Sequence, residues 1–161
     1  MLRISKLTDY GLVLLAHFAD AAEETPNDSS RNAREMAEAT LLPYPAVSKI
    51  LKTLAQEELL VSQRGAKGGY SLAKAPAEIR VTDIVEALEG PIALMACTAG
   101  PGHCEQEATC RIRDPWMQIN QAVRATLERI TLAQLGGPGA PRIPALQLSD
   151  DASPEDESRT H

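Results

Sequence analysis

At 161 residues, with 43% apolar and 24% charged side chains, the chain suits one globular domain with an appended helix or tail. One Trp, one Phe and three Tyr leave packing to aliphatic side chains, which favours helices, and no stretch approaches the roughly 20 apolar residues of a membrane span. The net charge of -6 argues against a nucleic-acid partner only until it is divided along the chain. Five acids against one Arg lie in 150–161, whereas Lys49, Lys52, Arg64, Lys67, Lys74 and Arg80 face only Glu57, Glu58 and Glu78 across 43–80.

The first 22 residues imitate a secretion signal, with Arg3 and Lys6 ahead of Gly11-Leu-Val-Leu-Leu-Ala16. Asp9, His17 and Asp20 interrupt the run, which is too short for a signal core. It reads instead as an amphipathic helix from Ser5 to Ala22, with Leu7, Tyr10, Gly11, Leu14, Leu15 and Phe18 at helical spacing, in a cytoplasmic protein. A polar loop follows to Asn32. Asn32 and Glu35 have the spacing of a capping box that opens a short helix over 33–39.

Leu41-Leu-Pro-Tyr-Pro45 forms a turn, and Pro45 at a first helical position starts a helix through Glu58. Val47, Ile50, Leu51 and Leu54 form its apolar side, while Ser48, Lys49 and Lys52 lie elsewhere on it, the pattern of a helix-turn-helix. Two strand-like runs, 59–63 and 70–73, flank Arg64-Gly-Ala-Lys-Gly-Gly69, whose glycines suit positive-phi positions at a hairpin tip and whose Arg64 and Lys67 place cations there. These glycines lack the spacing and strand-then-helix context of a phosphate loop. The fold class predicted is mainly α with a small β-hairpin wing: a winged helix-turn-helix plus a long C-terminal dimerisation helix.

Thr82 is placed to cap a helix through Leu88, which Gly90-Pro91 stops. Cys97, Cys104 and Cys110, the only cysteines, then fall in one stretch rich in Gly, Pro and Glu. An odd set of thiols in loop composition is a poor disulfide framework and a good metal or redox site. Asp114-Pro115 starts a last helix whose Ile119, Val123, Leu127 and Ile130 recur about every four residues before Gly136. A twin subunit is the simplest place for that stripe, which predicts a homodimer. The organisation is 1–90 for the DNA-binding domain, 91–113 for the cysteine loop, 114–135 for the dimerisation helix and 136–161 for a disordered acidic tail.

Ser5-Lys-Leu-Thr-Asp-Tyr10, Arg34-Glu-Met-Ala-Glu38, Val47-Ser-Lys-Ile-Leu-Lys52, Arg64-Gly-Ala-Lys-Gly-Gly-Tyr70, Ile84-Val-Glu-Ala-Leu88 and the three cysteines occur in that order. In this ordered set the chain resembles the IscR/NsrR-type winged-helix iron-sulfur regulators, most closely the branch that controls the SUF cluster-assembly system. The resemblance implies a dimeric repressor, not an enzyme, that binds double-stranded operator DNA and carries a 2Fe-2S or 4Fe-4S cluster. It maps the reading helix onto Tyr44, Ala46, Ser48 and Lys49, and the minor-groove contact onto Arg64. Tyr44 reads equally as packing at the helix start, and Lys49 and Lys52 suit phosphate better than bases.

By the same resemblance the cluster ligands are Cys97, Cys104 and Cys110, three soft thiolates that leave one position open. Arg113 stands where one branch supplies a ligating His and cannot serve. Thr8-Asp9-Tyr10 resembles the motif by which another branch supplies an Asp from the partner's first helix, so Asp9 is the first candidate and His103 the second. As an acid near a helix start, Asp9 also has an ordinary use in complementing the dipole. A zinc- or thiol-based redox regulator with the same DNA head is the alternative, a Cys3His zinc set with His103 being chemically legitimate. The three His offer no convincing base for a Cys-dependent enzyme.

Overall fold

Helix α1, Lys6–Glu24, is the spine on which the other elements are hung. Its buried face is Thr8, Gly11, Leu14, Leu15, Phe18, Ala19 and Ala21, the helical spacing expected from the sequence. The structure, a computed structural model, describes residues 5–24, 29–65, 68–105 and 109–136. Lys67 and the tail assigned from Gly136 onward lie outside the described residues, apart from Gly136 itself.

Helix α2, Ala33–Thr40, opens with the anticipated capping box: the Asn32 Oδ1 accepts from the Arg34 and Glu35 amides, and Glu35 accepts from the Asn32 amide at 2.8 Å. Leu41 closes it in the left-handed region at φ 56°. Helix α3, Tyr44–Gln56, begins one residue earlier than expected, with Pro43 as its extended N-cap and Pro45 inside the first turn, where a missing N–H costs nothing. It ends two residues earlier than expected, because Glu58 turns left-handed at φ 58° and the Leu59 amide reaches back to the Leu54 carbonyl at 2.9 Å.

Strands β1, Leu60–Gln63, and β2, Gly69–Leu72, pair antiparallel with Leu60 opposite Leu72 and Gln63 opposite Gly69. The wing is tied to the body, since Tyr70 exchanges both backbone hydrogen bonds with Arg31, at 2.8 and 2.9 Å. Of the tip glycines, Gly65 has the positive phi expected, at 119°. Gly69 serves a different purpose: a Cβ there would lie 2.7 Å from the Arg31 carbonyl oxygen, so only Gly admits this close pairing.

Helix α4, Val81–Glu89, has its N-cap at Arg80 rather than at Thr82. Asp83 accepts from the Arg80 amide at 3.1 Å, and Thr82 is buried instead of capping. Helix α5, Arg113–Glu128, and helix α6, Leu132–Leu135, replace the single helix expected over 114–135. The break is made by backbone pairing with the residues ahead of α4. The Val81 amide donates to the Ile130 carbonyl at 2.9 Å and the Leu132 amide to the Ile79 carbonyl at 2.8 Å, which forces Thr131 extended and drops Leu132 fully into the core.

That core joins Leu14, Leu15 and Phe18 of α1 to Val47, Ile50, Leu51 and Leu54 of α3, Ile84 of α4 and Leu132 of α6. In α5, by contrast, no side chain is fully buried. No described helix is long and apolar enough to cross a membrane.

Candidate nucleic-acid interface and cysteine loop

On α3 the helical period sends Val47, Ile50, Leu51 and Leu54 into the core and leaves Tyr44, Lys49 and Lys52 exposed, with Ala46 and Ser48 half-buried at the boundary. Tyr44 keeps about half of its surface in water (52%), so it is not consumed by packing at the helix start. Arg64 follows β1 and is exposed at the base of the wing tip, next to Gly65. The sequence-derived set on α3 and the wing therefore presents three described cations, Lys49, Lys52 and Arg64, to solvent on consecutive elements. A reading helix flanked by such cations can meet phosphates while its polar positions approach base edges. Leu41, 90% exposed in the turn ahead of α3, was not anticipated; neither its composition nor its spacing signals a left-handed leucine.

The chain leaves α4 through Gly90, at φ 87°, and enters the cysteine segment. Asn120 of α5 anchors the start of that segment, accepting from the Leu94 amide at 3.0 Å and donating to the Ile92 carbonyl at 3.2 Å. Cys97 lies in a 3-10 turn, Ala96–Thr98, and is buried, whereas Cys104 and Cys110 are half-buried; all three are free thiols. Gly100 and Gly102 take positive phi, at 138° and 80°, and let the loop double back. Cys110 lies three residues ahead of the start of α5, with Arg111 and Arg113 close to it in the chain.

His103 is exposed, and its Nδ1 lies 3.3 Å from the carbonyl oxygens of both Gly100 and Pro101, to which it donates. That turns one ring nitrogen to its own loop. Asp9 is exposed on the first turn of α1, its amide donating to the Ser5 carbonyl at 3.0 Å. Among the described residues no three His, Cys, Asp or Glu side chains stand together as a ready-made metal set. The donor chemistry nevertheless suits an iron-sulfur cluster: three thiols from one loop, and no fourth thiol in the chain to close the set.

Glu89, the last residue of α4, also escaped the sequence reading. Its Oε1 accepts from the Ser5 amide at 2.9 Å and from the Thr8 hydroxyl, which is fully buried. Hydrogen bonds from Ser5 and then Thr8 hold the Glu89 carboxyl below its ordinary value. Nothing in a single glutamate at a helix end announces partners 81 and 84 residues away.

Residues 4–137 match the Rrf2 family, described as iron-dependent transcriptional regulators. The chain is 30% identical over 135 residues to the HTH-type transcriptional regulator NsrR of Geobacillus kaustophilus, covering 83% of this chain and 89% of that one. Its fold is similar to that of CymR, the global cysteine regulator of B. subtilis, with a TM-score of 0.62 and 30% identity over 82% of this chain and 94% of that one. A solved structure of IscR from T. potens gives a TM-score of 0.61 and 26% identity, covering 82% and 84% of the two chains.

Proposed function

The chain belongs to the Rrf2 family of helix-turn-helix transcriptional regulators, of the IscR/NsrR type, and is not an enzyme; from that premise we propose that it is a cytoplasmic, dimeric, operator-binding repressor of iron-sulfur assembly genes of the SUF type, governed by an iron-sulfur cluster. The observation that carries the reading is the set of three free thiols on one short loop that joins the α4 end of the DNA-binding unit to α5. In this reading Cys97, Cys104 and Cys110 hold the cluster and Asp9 of the partner subunit completes it. When bound, the cluster supplies a redox- and oxygen-labile link between loop and helix.

The protein's own residues do the rest. Tyr44, Ala46 and Ser48 meet base edges, Lys49, Lys52 and Lys67 meet phosphates, and Arg64 enters a narrow minor groove, which attracts a guanidinium. The exposed apolar side chains Met117 and Ile119 of α5, with Ile112 just ahead of it, are covered by a second copy. A dimer sets the separation of two reading helices, which must match half-sites about 34 Å apart, so a small change at the loop alters affinity.

A second reading, a thiol- or zinc-based regulator with the same head, is favoured by the likeness to CymR. Anaerobic purification with absorption spectra and iron, sulfide and zinc content separates the two. Brown protein with matched iron and sulfide, both lost in Cys104→Ala, is the expected result. Colourless protein that retains zinc after anaerobic reconstitution with iron and sulfide would move the assignment to the second reading.

A further inference from the structure

The first turn of α1 carries Asp9, and the end of α4 delivers the chain into the cysteine segment. These two places touch. Glu89 sends its carboxylate to the opening of α1, where one oxygen receives both the Ser5 amide and the Thr8 hydroxyl. Ser5 in turn caps the same turn, its Oγ accepting from the Thr8 amide at 3.4 Å and its carbonyl from the Asp9 amide. Thr8 has no exposed surface, so its hydroxyl has no water to turn to if the carboxylate leaves.

The helices are locked one turn further along. A Cβ on Gly11 would lie 2.3 Å from Leu88 Cδ1, so Leu88 sits directly against the α1 backbone. The same Cβ position is 3.7 Å from Ile50 Cγ2, a buried residue of the reading helix α3. Glu89 and Leu88 of α4 thus grip Ser5, just ahead of α1, and Thr8 and Gly11 on it, and α1 at residue 11 abuts α3. The contacts are continuous from the root of the cysteine segment to the reading helix.

We propose that Glu89 is the positioning residue that couples the state of the cysteine loop to the reading head, by holding the Asp9-bearing first turn of α1 on the end of α4. The assignment rests on the sensing reading above. Displacement of the loop root moves Glu89, which releases Thr8 and the first turn of α1 and loosens the seat of Ile50. A contiguous contact path needs coupling measured across it, and the affinity difference between two states of the protein supplies that.

The test uses the full-length protein and a duplex selected by wild-type protein from random DNA. Affinity is measured by anisotropy for protein reconstituted anaerobically with iron and sulfide and for the same protein stripped by chelation. A wild-type difference on the order of 10-fold is expected between the two states. In Glu89→Ala that difference falls to roughly 2-fold at retained iron content and far-ultraviolet circular dichroism, and Glu89→Gln, which keeps the acceptor oxygen, restores most of it. Thr8→Val removes the donor at nearly equal volume and, if Glu89→Ala does not fold, carries the same expectation. A normal wild-type difference that persists unchanged in Glu89→Ala or Thr8→Val overturns this role alone. A wild-type protein that binds equally in both states overturns the sensing reading and the coupling with it.

Discussion

The reading head and the C-terminal helix α5 are built on opposite terms. In the head, α1, α3, α4 and α6 share a core in which Leu14, Leu15, Ile50, Leu51, Leu54, Ile84 and Leu132 have no exposed surface. Helix α5 is longer than α3, yet it buries no side chain fully; polar links tie it to the head through Arg124 on Glu86 and Arg80 on Glu128 at 3.3 Å, and to the cysteine segment through Asn120. Exposed pairs of this kind contribute about 0–1 kcal/mol each. The head thus buries its own core, whereas α5 exposes apolar side chains and the loop carries free thiols, which the proposed second copy and the proposed cluster would complete.

Removing side chains from each region puts that contrast to work. Leu51→Ala opens a cavity in the head and should cost about 2–5 kcal/mol, read as a shift of the urea midpoint. Equal stability in the variant would mean that the head does not rely on its own core. Ile119→Asp, on exposed α5, should leave the head's circular dichroism intact while raising the dimer dissociation constant on the order of 10-fold or more, seen by sedimentation velocity. An unchanged sedimentation coefficient across dilution would remove α5 from the interface. Arg64→Ala should weaken operator binding by roughly 1 kcal/mol without altering dimerisation, and most strongly for duplexes with an A-tract beneath the wing.

The smallest effect concerns acid. Because Glu89 is held below the ordinary value of 4.5, the α1 cap it makes contributes stability that is complete above that value and is lost as pH falls through the lowered one. Hydrogen exchange at the α1 first-turn amides, followed downward from pH 5, should rise in wild-type protein relative to Glu89→Gln, after allowance for the intrinsic exchange rate. Parallel profiles in the two proteins would show that the charge on Glu89 adds nothing to the cap.

What was legible in the sequence follows a physical divide between local and distant forces. Helical spacing in Leu14, Leu15 and Phe18, the Asn32–Glu35 box, Pro45 near the start of α3 and the cation-bearing wing all depend on neighbours within a turn or a hairpin, so their residues announce them. The thiols announce themselves by chemistry and loop composition. Helix ends and long-range pairings were decided elsewhere. Thr82 has the chemistry of a cap but was drawn into the core, and the break between α5 and α6 exists because Ile79 and Val81 pair with Leu132 and Ile130, residues 53 and 49 positions later. Gly69 likewise faces Arg31, and Glu89 faces Ser5 and Thr8 from 84 and 81 residues away. A helix-turn-helix with a wing and a three-thiol loop can be read from the residues alone, because local propensity and side-chain chemistry need no distant partner. Packing in three dimensions set which polar groups distant segments would satisfy, and those contacts join the root of the cysteine loop, the first helix and the reading head.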